Sequence, residues 1–154
     1  MLFRSAFPRA ALEAIGRVVA EQEKRHRGEL RVVIEGGLPL LSLLRGQDAR
    51  ARAEQLFARF GIAGTKEASG VLIYLLLADR RVEILGDRGI HERVGDAAWG
   101  AICGEMQRQF AAGNFEQGVV AALASASDLL ARHFPAGEGG DGNPNELPDA
   151  PVTL

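Results

Sequence analysis

The sequence predicts an α/β protein: an αβα sandwich whose small mixed sheet is flanked by about four helices. Two observations favour this fold. Residues 71–78 are an uncharged apolar run, and their length and composition are typical of a central strand that is covered on both faces. Elsewhere, apolar residues recur at helical spacing in segments that lie before, between and after the predicted strands.

Size and composition fit one domain that needs no disulfide. The chain has 154 residues and a single cysteine, Cys103, and no stretch approaches the roughly 18 apolar residues of a membrane-spanning helix. The opening residues are too few and too polar for a secretion signal. We therefore expect a cytoplasmic protein without a transmembrane segment.

The net charge is −2, and no basic stripe is present, which argues against nucleic acid as a partner.

The composition changes after residue 134. Residues 135–154 hold four of the six prolines, four glycines and four acidic residues, and they contain no Lys or Arg. A segment of this kind buries too little apolar surface to fold by itself. We expect a single domain over 1–134 and a flexible acidic tail, rich in Gly and Pro, over 135–154.

The first half of the chain predicts helix, strand, helix. Pro8 suits the first turn of a helix whose apolar stripe continues to about Arg25. Residues 30–34 then alternate as a strand with one face more fully buried than the other. The second helix begins after Asp48, a good N-cap, and Gly61 ends it.

The second half begins with the central strand, 71–78, which should run parallel to the first strand through a right-handed crossover. A turn at residues 79–80 leads to an antiparallel strand over 82–85.

Two helices complete the predicted domain. Asp96 can cap the first of them, and a capping box of Asn114 and Gln117 opens the second. The first helix has a stripe of apolar spacing that we interpret as core, formed by Trp99, Ile102, Cys103, Met106 and Phe110.

The predicted hairpin brings polar residues to one edge of the sheet, where the central strand starts and the next one ends. The candidate ligands of a hard cation such as calcium or magnesium are Asp87, Asp96 and Glu67. The candidate contacts of a phosphate group are Arg88, Thr65 and Ser69. The plainer interpretation is that Asp96 only caps its helix and that Asp87 lies in a solvated turn.

The opposite edge is a rival location, because open α/β sheets bind ligands beyond the carboxyl ends of their parallel strands. Glu35, Gly36, Asp79 and Arg80 would lie there. The sequence contains no Walker loop, no Gly-x-Ser-x-Gly elbow and no His-Glu-x-x-His helix.

Residues 37–44 are unusually apolar for a connection between elements. Either this segment folds back over the sheet, or it contacts a protein partner, a second copy or a membrane-associated complex. The candidate contact residues are Leu38, Leu40, Leu41, Leu43 and Leu44.

Residues 68–134 resemble the TPM-domain family, which includes thylakoid acid-phosphatase-like proteins and many bacterial envelope proteins. Residues 68–72 are similar to the family's Asn-Asn-Gly-Val-Leu, and residues 79–80 open a similar hairpin. Gly89-Ile90 followed by Asp96 resembles its Gly-Leu and helix-capping Asp. Residues 110–118 are similar to its Phe-x-x-Gly-Asp-Tyr-x-x-Gly junction, and residues 145–149 to the tail of its short, unanchored bacterial subgroup.

The resemblance implies an αβα sandwich and, in some members, bound divalent cations. The sequence departs from the family pattern near the polar edge. Ser69 replaces an Asn, Asp87-Arg88 replaces Gly-Tyr, and Asn114 replaces an Asp, while the signal peptide and anchor of many relatives are absent.

Two functional hypotheses follow. The first is a non-catalytic or weakly catalytic TPM-type binding domain that acts in the maintenance of proteins or membrane complexes. The alternative is a metal-assisted acid phosphatase, a phosphomonoesterase in which Asp87 and Asp96 position a cation while Arg88 holds the phosphate.

Overall fold

The computed structural model describes residues 6–137 and 148–154. Within these ranges, five helices surround a four-stranded mixed sheet, which confirms the predicted fold class. The helices are α1 (Arg9–Glu23), α2 (Leu40–Leu44), α3 (Ala49–Arg59), α4 (Arg88–Ala111) and α5 (Phe115–His133). The strands are β1 (Glu29–Glu35), β2 (Gly70–Leu76), β3 (Arg81–Gly86) and β4 (Val152–Thr153). A short 3-10 turn, Ile62–Gly64, follows α3.

The strands lie in the order β3-β2-β1-β4. β1 pairs in parallel with β2, and β2 pairs antiparallel with β3, as the sequence predicts. The addition of β4 was not predicted: Val152 lies opposite Val33, in parallel with β1. The predicted tail therefore contributes an edge strand, whereas residues 138–147 lie outside the described residues.

Each face of the sheet carries its own hydrophobic cluster. Val71, Ile73 and Leu75 of β2 point toward the cluster that α1, α4 and α5 complete. The alternate residues of β2, including Leu72 and Tyr74, point toward the cluster under α3. This two-sided burial explains why the central strand carries no charge.

The prediction for β1 was wrong on one point. All seven of its residues are buried, including the charged Glu29, Arg31 and Glu35. The alternation of charged and apolar residues suggested a wetter face. Burial is possible because charged groups can leave water when they are hydrogen-bonded and paired, as Glu35 is with Arg52.

Two predicted helix caps were also wrong. Asp87, not Asp96, is the N-cap of α4, although a second helical segment does begin directly after Gly95, close to the predicted position. Gly95 interrupts the helix with φ 77° and ψ 170°, so Asp96 only follows a break. Asn114 precedes α5 but makes no side-chain cap. Its side-chain nitrogen donates to Gln109 Oε1 at 3.1 Å.

Within residues 6–137 and 148–154, no helix has both the length and the apolar composition that are needed to cross a membrane.

Candidate functional site

The polar edge begins in the loop before β2. The pairing of Val71 with Gly86 places the start of β2 beside the end of β3, as predicted. Thr65 and Ser69 are both buried there, and the Thr65 hydroxyl accepts a hydrogen bond from the Ser69 N–H at 3.2 Å. The Thr65 side chain therefore helps to close this loop.

Asp87 lies at the end of β3 and caps α4. Its Oδ1 accepts a hydrogen bond from the Arg88 N–H at 2.8 Å. Its Oδ2 is buried and has no hydrogen-bond partner among the residues that the structure describes. The positive end of the helix dipole favours a negative charge at this position. Asp87 thus has one carboxylate oxygen, Oδ2, that accepts no hydrogen bond from the described residues and is available to a ligand.

The other charged residues of this edge have partners of their own. Glu67 makes a two-pronged ion pair with Arg27, at 3.0 and 3.3 Å. The exposed Arg88 side chain lies 4.0 Å from Glu92. In the described part of the chain, no group of three or more His, Cys, Asp or Glu side chains is arranged to hold a metal ion. The structure therefore does not bring Asp87, Asp96 and Glu67 together as one such group.

His91 is a member of this edge that the sequence analysis missed. The Trp99 indole donates to His91 Nδ1 at 3.2 Å, and His91 Nε2 lies 3.5 Å from Asp96 Oδ1. When Nδ1 accepts from the indole, Nε2 of a neutral ring carries the hydrogen and faces Asp96. The break at Gly95 lies between these partners, and sequence spacing gives no sign of such a contact.

A groove of about 580 Å³ lies between β3 and α4, and its lining includes Arg50, Glu83 and Cys103. Burial, and then the nearby Glu83 charge, raise the pKa of the Cys103 thiol to about 11. The thiol therefore stays protonated at neutral pH, which argues against a nucleophilic role.

The apolar segment after β1 forms a second candidate site. Leu40, Leu41, Leu43 and Leu44, here called the leucine patch, are 72%, 57%, 59% and 75% exposed. Leu38 instead packs against the cluster under α3. The one buried residue of α2 is Ser42. This short helix thus turns its serine inward and its leucines to solvent, the reverse of an ordinary surface helix.

The leucine patch follows the carboxyl end of β1. The Gly36 backbone connects this end to β4 and to the β2–β3 turn, because its N–H donates to Leu154 O and its C=O accepts from the Ala78 N–H. Leu154 is itself 43% exposed. Arg45, directly after α2, is exposed and makes no ion pair with any residue that the structure describes. An apolar surface with a basic margin therefore lies at this end of the sheet.

A buried polar group lies at the same end of β1. Glu35 Oε1 accepts hydrogen bonds from Arg52 Nε at 3.0 Å and from the Tyr74 hydroxyl at 2.7 Å, and Oε2 accepts from Arg52 Nη2 at 2.9 Å. Burial, and then the hydrogen bond with Glu35, raise the pKa of Tyr74. The hydrogen bond with Glu35 raises the pKa of Arg52. These shifts preserve an Arg–Glu ion pair and a neutral tyrosine, so the group ties β1, β2 and α3 together.

Comparison with known proteins decides the family. The family model described as TPM domain matches residues 4–129, which confirms the resemblance seen in the sequence. The chain belongs to the TPM-domain family. No curated protein matches this TPM domain.

The solved structures similar to this TPM domain include the following two. The BA42 protein of the psychrophilic bacterium Bizionia argentinensis is 32% identical, with a TM-score of 0.81 over 96% of this chain and 95% of that one. The N-terminal domain of a P. gingivalis protein is 18% identical, with a TM-score of 0.67 over 86% of this chain and 83% of that one. The second likeness concerns the fold alone.

Proposed function

We propose that this TPM domain is a binding domain that acts in the maintenance of proteins or membrane complexes and docks on a protein partner through the leucine patch. One observation carries the proposal: α2 buries Ser42 and exposes four leucines. Contiguous exposed apolar surface on a folded domain usually marks an interaction site. None of the polar residues found at the other edge forms a comparable site.

The size and shape of the patch suit a protein groove. Burial of one leucine side chain contributes about 1.5–3 kcal/mol, so even partial burial of four of them can hold a partner. One helical turn that presents leucines at i, i+1, i+3 and i+4 resembles the anchors of helix-in-groove recognition. Arg45, beside the patch, would face an acidic residue at the margin of that groove.

The test compares partner capture by the wild type and by a Leu40→Ser/Leu44→Ser variant, with the retained protein identified and then purified for direct binding. We expect the affinity for that partner to fall at least tenfold while the melting temperature stays unchanged, because both leucines are exposed. Arg88→Ser, an exposed change at the polar edge, should bind as the wild type does.

Equal binding by the leucine variant and the wild type would contradict this function. Loss of binding in Arg88→Ser alone would move the interaction to the polar edge. If the protein floats with lipid vesicles and the leucine variant does not, the patch binds a membrane surface and not a protein partner.

Cation binding, with metal-assisted phosphomonoesterase activity, is the second candidate function. It is favoured by the buried Asp87 Oδ2 that lacks a partner among the described residues, at the N-terminus of α4. A calcium or magnesium ion at this oxygen would complete its coordination with water and with substrate phosphate oxygens.

Thermal unfolding of metal-stripped protein tests this second function. A cation at 100 times its dissociation constant adds about 2.7 kcal/mol, enough to raise the melting temperature by several degrees. Asp87→Asn should abolish the shift, whereas Asp48→Asn, which changes the cap of α3, should retain it. Hydrolysis of a chromogenic phosphate ester that persists in Asp87→Asn would reject the phosphatase assignment.

A further inference from the structure

A cavity of about 340 Å³ lies at the carboxyl end of β2, and its lining is separate from the leucine patch and from the polar edge. Leu75, near the end of β2, and Leu77, just after it, both line the cavity. Its volume falls in the usual range of small-molecule sites, about 300–1,000 Å³. The sequence analysis named this end of the sheet as a rival ligand location, because open α/β sheets bind ligands beyond the carboxyl ends of their parallel strands.

The apolar wall of the cavity is built by the junction between α4 and α5. Phe110 and Phe115 line it, with their ring centroids 5.4 Å apart. The buried Phe7 ring packs edge-on against both of them, at 6.2 and 5.9 Å. A Cβ added at Gly118 would come within 2.8 Å of the Phe110 ring, so the glycine allows that ring its position. The junction at 110–118 therefore shapes a preformed apolar wall.

The exposed side of the cavity is positively charged. Arg80 and Arg81 line it together with Gln107, and none of the described residues in the lining is acidic. Arg81 lies 3.5 Å from Glu83, which offsets part of its charge. Arg80 is exposed, and its side chain has no ion pair or hydrogen bond with any residue that the structure describes. One guanidinium therefore remains available, and a guanidinium can bind a carboxylate by two parallel hydrogen bonds.

The backbone of Arg80 is strained. Its φ is 52°, in the left-handed region that favours glycine, and its N–H donates to Leu77 O at 3.1 Å in the turn between β2 and β3. Glycine would relieve this strain, but it would also remove the unpaired guanidinium from the cavity. Strained residues cluster at sites that bind ligands, where the surrounding structure holds them in place. The position of Arg80 therefore fits a residue that contacts a ligand.

We propose that this cavity binds a small organic carboxylate, whose apolar body lies against Phe110 and Phe115 and whose carboxylate contacts Arg80. Apart from the two arginines and Gln107, every residue in the lining is alanine, leucine or phenylalanine, which requires an apolar body. One available guanidinium matches the single negative charge of a carboxylate. A phosphate monoester carries about −1.5 to −2 charges at pH 7 and would be only partly neutralised.

Titration of the full chain with octanoate and octanol, followed by its amide resonances, tests this site. The two probes share one alkyl chain, and only octanoate is charged. We expect octanoate to bind saturably, with shifts centred on Leu77, Phe110 and Phe115. It should bind at least about tenfold more tightly than octanol, because hydrogen bonds to charged groups are the stronger ones. Octyl phosphate should bind no more tightly than octanoate.

Three variants locate the two halves of the ligand. Arg80→Gly removes the guanidinium at a φ that glycine favours, so octanoate should bind at least about tenfold more weakly while octanol binding and the melting temperature are maintained. Ala111→Leu enlarges an exposed residue of the lining and should weaken the binding of both probes. Arg17→Gln, an exposed change on α1, is the control and should bind both probes as the wild type does.

A wild type that shows no saturable binding of octanoate would overturn the proposal. Equal octanoate binding in Arg80→Gly would also reject it, since the carboxylate would then lie elsewhere. Unchanged binding in Ala111→Leu would place the alkyl chain outside the cavity, with the same consequence. Tighter binding of octyl phosphate than of octanoate would reject a carboxylate as the class of ligand.

Discussion

At the scale of single residues, buried charges decide more of this fold than the sequence suggested. The Arg52 and Glu35 side chains are 7% and 5% exposed, and Tyr74 donates a third hydrogen bond to the same carboxylate. Each member of such a group compensates the desolvation of the others. Removal of one member therefore leaves its partner buried and unpaired.

We predict that Tyr74→Phe lowers the free energy of unfolding by about 1.5–3 kcal/mol, because the lost hydrogen bond has a charged acceptor. Arg52→Ala should cost about 3–5 kcal/mol, since the Glu35 carboxylate stays behind without its ion pair. Urea unfolding measures both values. Arg59→Ala, an exposed arginine of the same helix, is the control and should cost less than about 0.5 kcal/mol. A similar small loss in Arg52→Ala would show that Glu35 finds another partner.

At the scale of elements, backbone conformation sets the course of α4. Gly95 has φ 77° and breaks the helix, which places Asp96 beside His91. Gly100 lies on the same helix, and a Cβ added at either glycine would meet no other atom. Space therefore does not distinguish these two glycines, and only the backbone conformation does.

We predict opposite effects of alanine at these two positions. Gly95→Ala should lower stability by about 1–2 kcal/mol, because a side chain is strained at positive φ. Gly100→Ala should raise stability by about 0.5–1 kcal/mol, since alanine is the better helix former. Thermal and urea unfolding of the two variants report the difference. If both substitutions were stabilising, α4 would run continuously through residue 95.

At the scale of the whole molecule, two buried groups give stability opposite dependences on pH. His26 is fully buried, its Nδ1 accepts a hydrogen bond from the Gly28 N–H, and burial lowers its pKa to about 4. Below about pH 6.5 the unfolded chain protonates this histidine while the folded chain does not, so this term reduces stability as the pH falls. Glu23, whose pKa is raised, reduces stability as the pH rises.

We predict that the two terms oppose each other between about pH 4.5 and 6.5, so the stability of the wild type varies little there. Above this range Glu23 acts alone, and stability should decline by up to about 1.4 kcal/mol per pH unit. Glu23→Gln should remove that decline and leave only the effect of His26. The stability of this variant should then fall by a similar amount for each pH unit below pH 6.5. Urea unfolding at pH 5, 6, 7 and 8 measures these slopes.

His133→Gln, which changes a half-buried histidine at the end of α5, is the control for this experiment and should leave the pH profile of the wild type unchanged. A wild type that gains stability steadily from pH 5 to 8 would contradict the role given to Glu23.

Most of the elements and the fold class follow from local sequence patterns. The uncharged run at 71–78 predicts a strand buried on both faces, and helical spacing predicts α1, α3, α4 and α5, because local periodicity records which side of each element is buried. Asp48 was predicted as a cap, and its Oδ1 accepts from the Ala51 N–H at 2.8 Å, a bond between residues only three positions apart.

Which distant groups meet, by contrast, depends on the tertiary fold. Glu35 pairs with Arg52, Arg31 donates to the carbonyls of Pro148 and Ala150, and β4 joins the edge of β1, although nothing in the local pattern connects them. The exposure of the leucine patch belongs to the same class, since the segment at 37–44 has the composition of a buried one. Periodicity shows that a face is buried but not what covers it. That choice depends on the path of the whole chain, which brings residues far apart in sequence into contact.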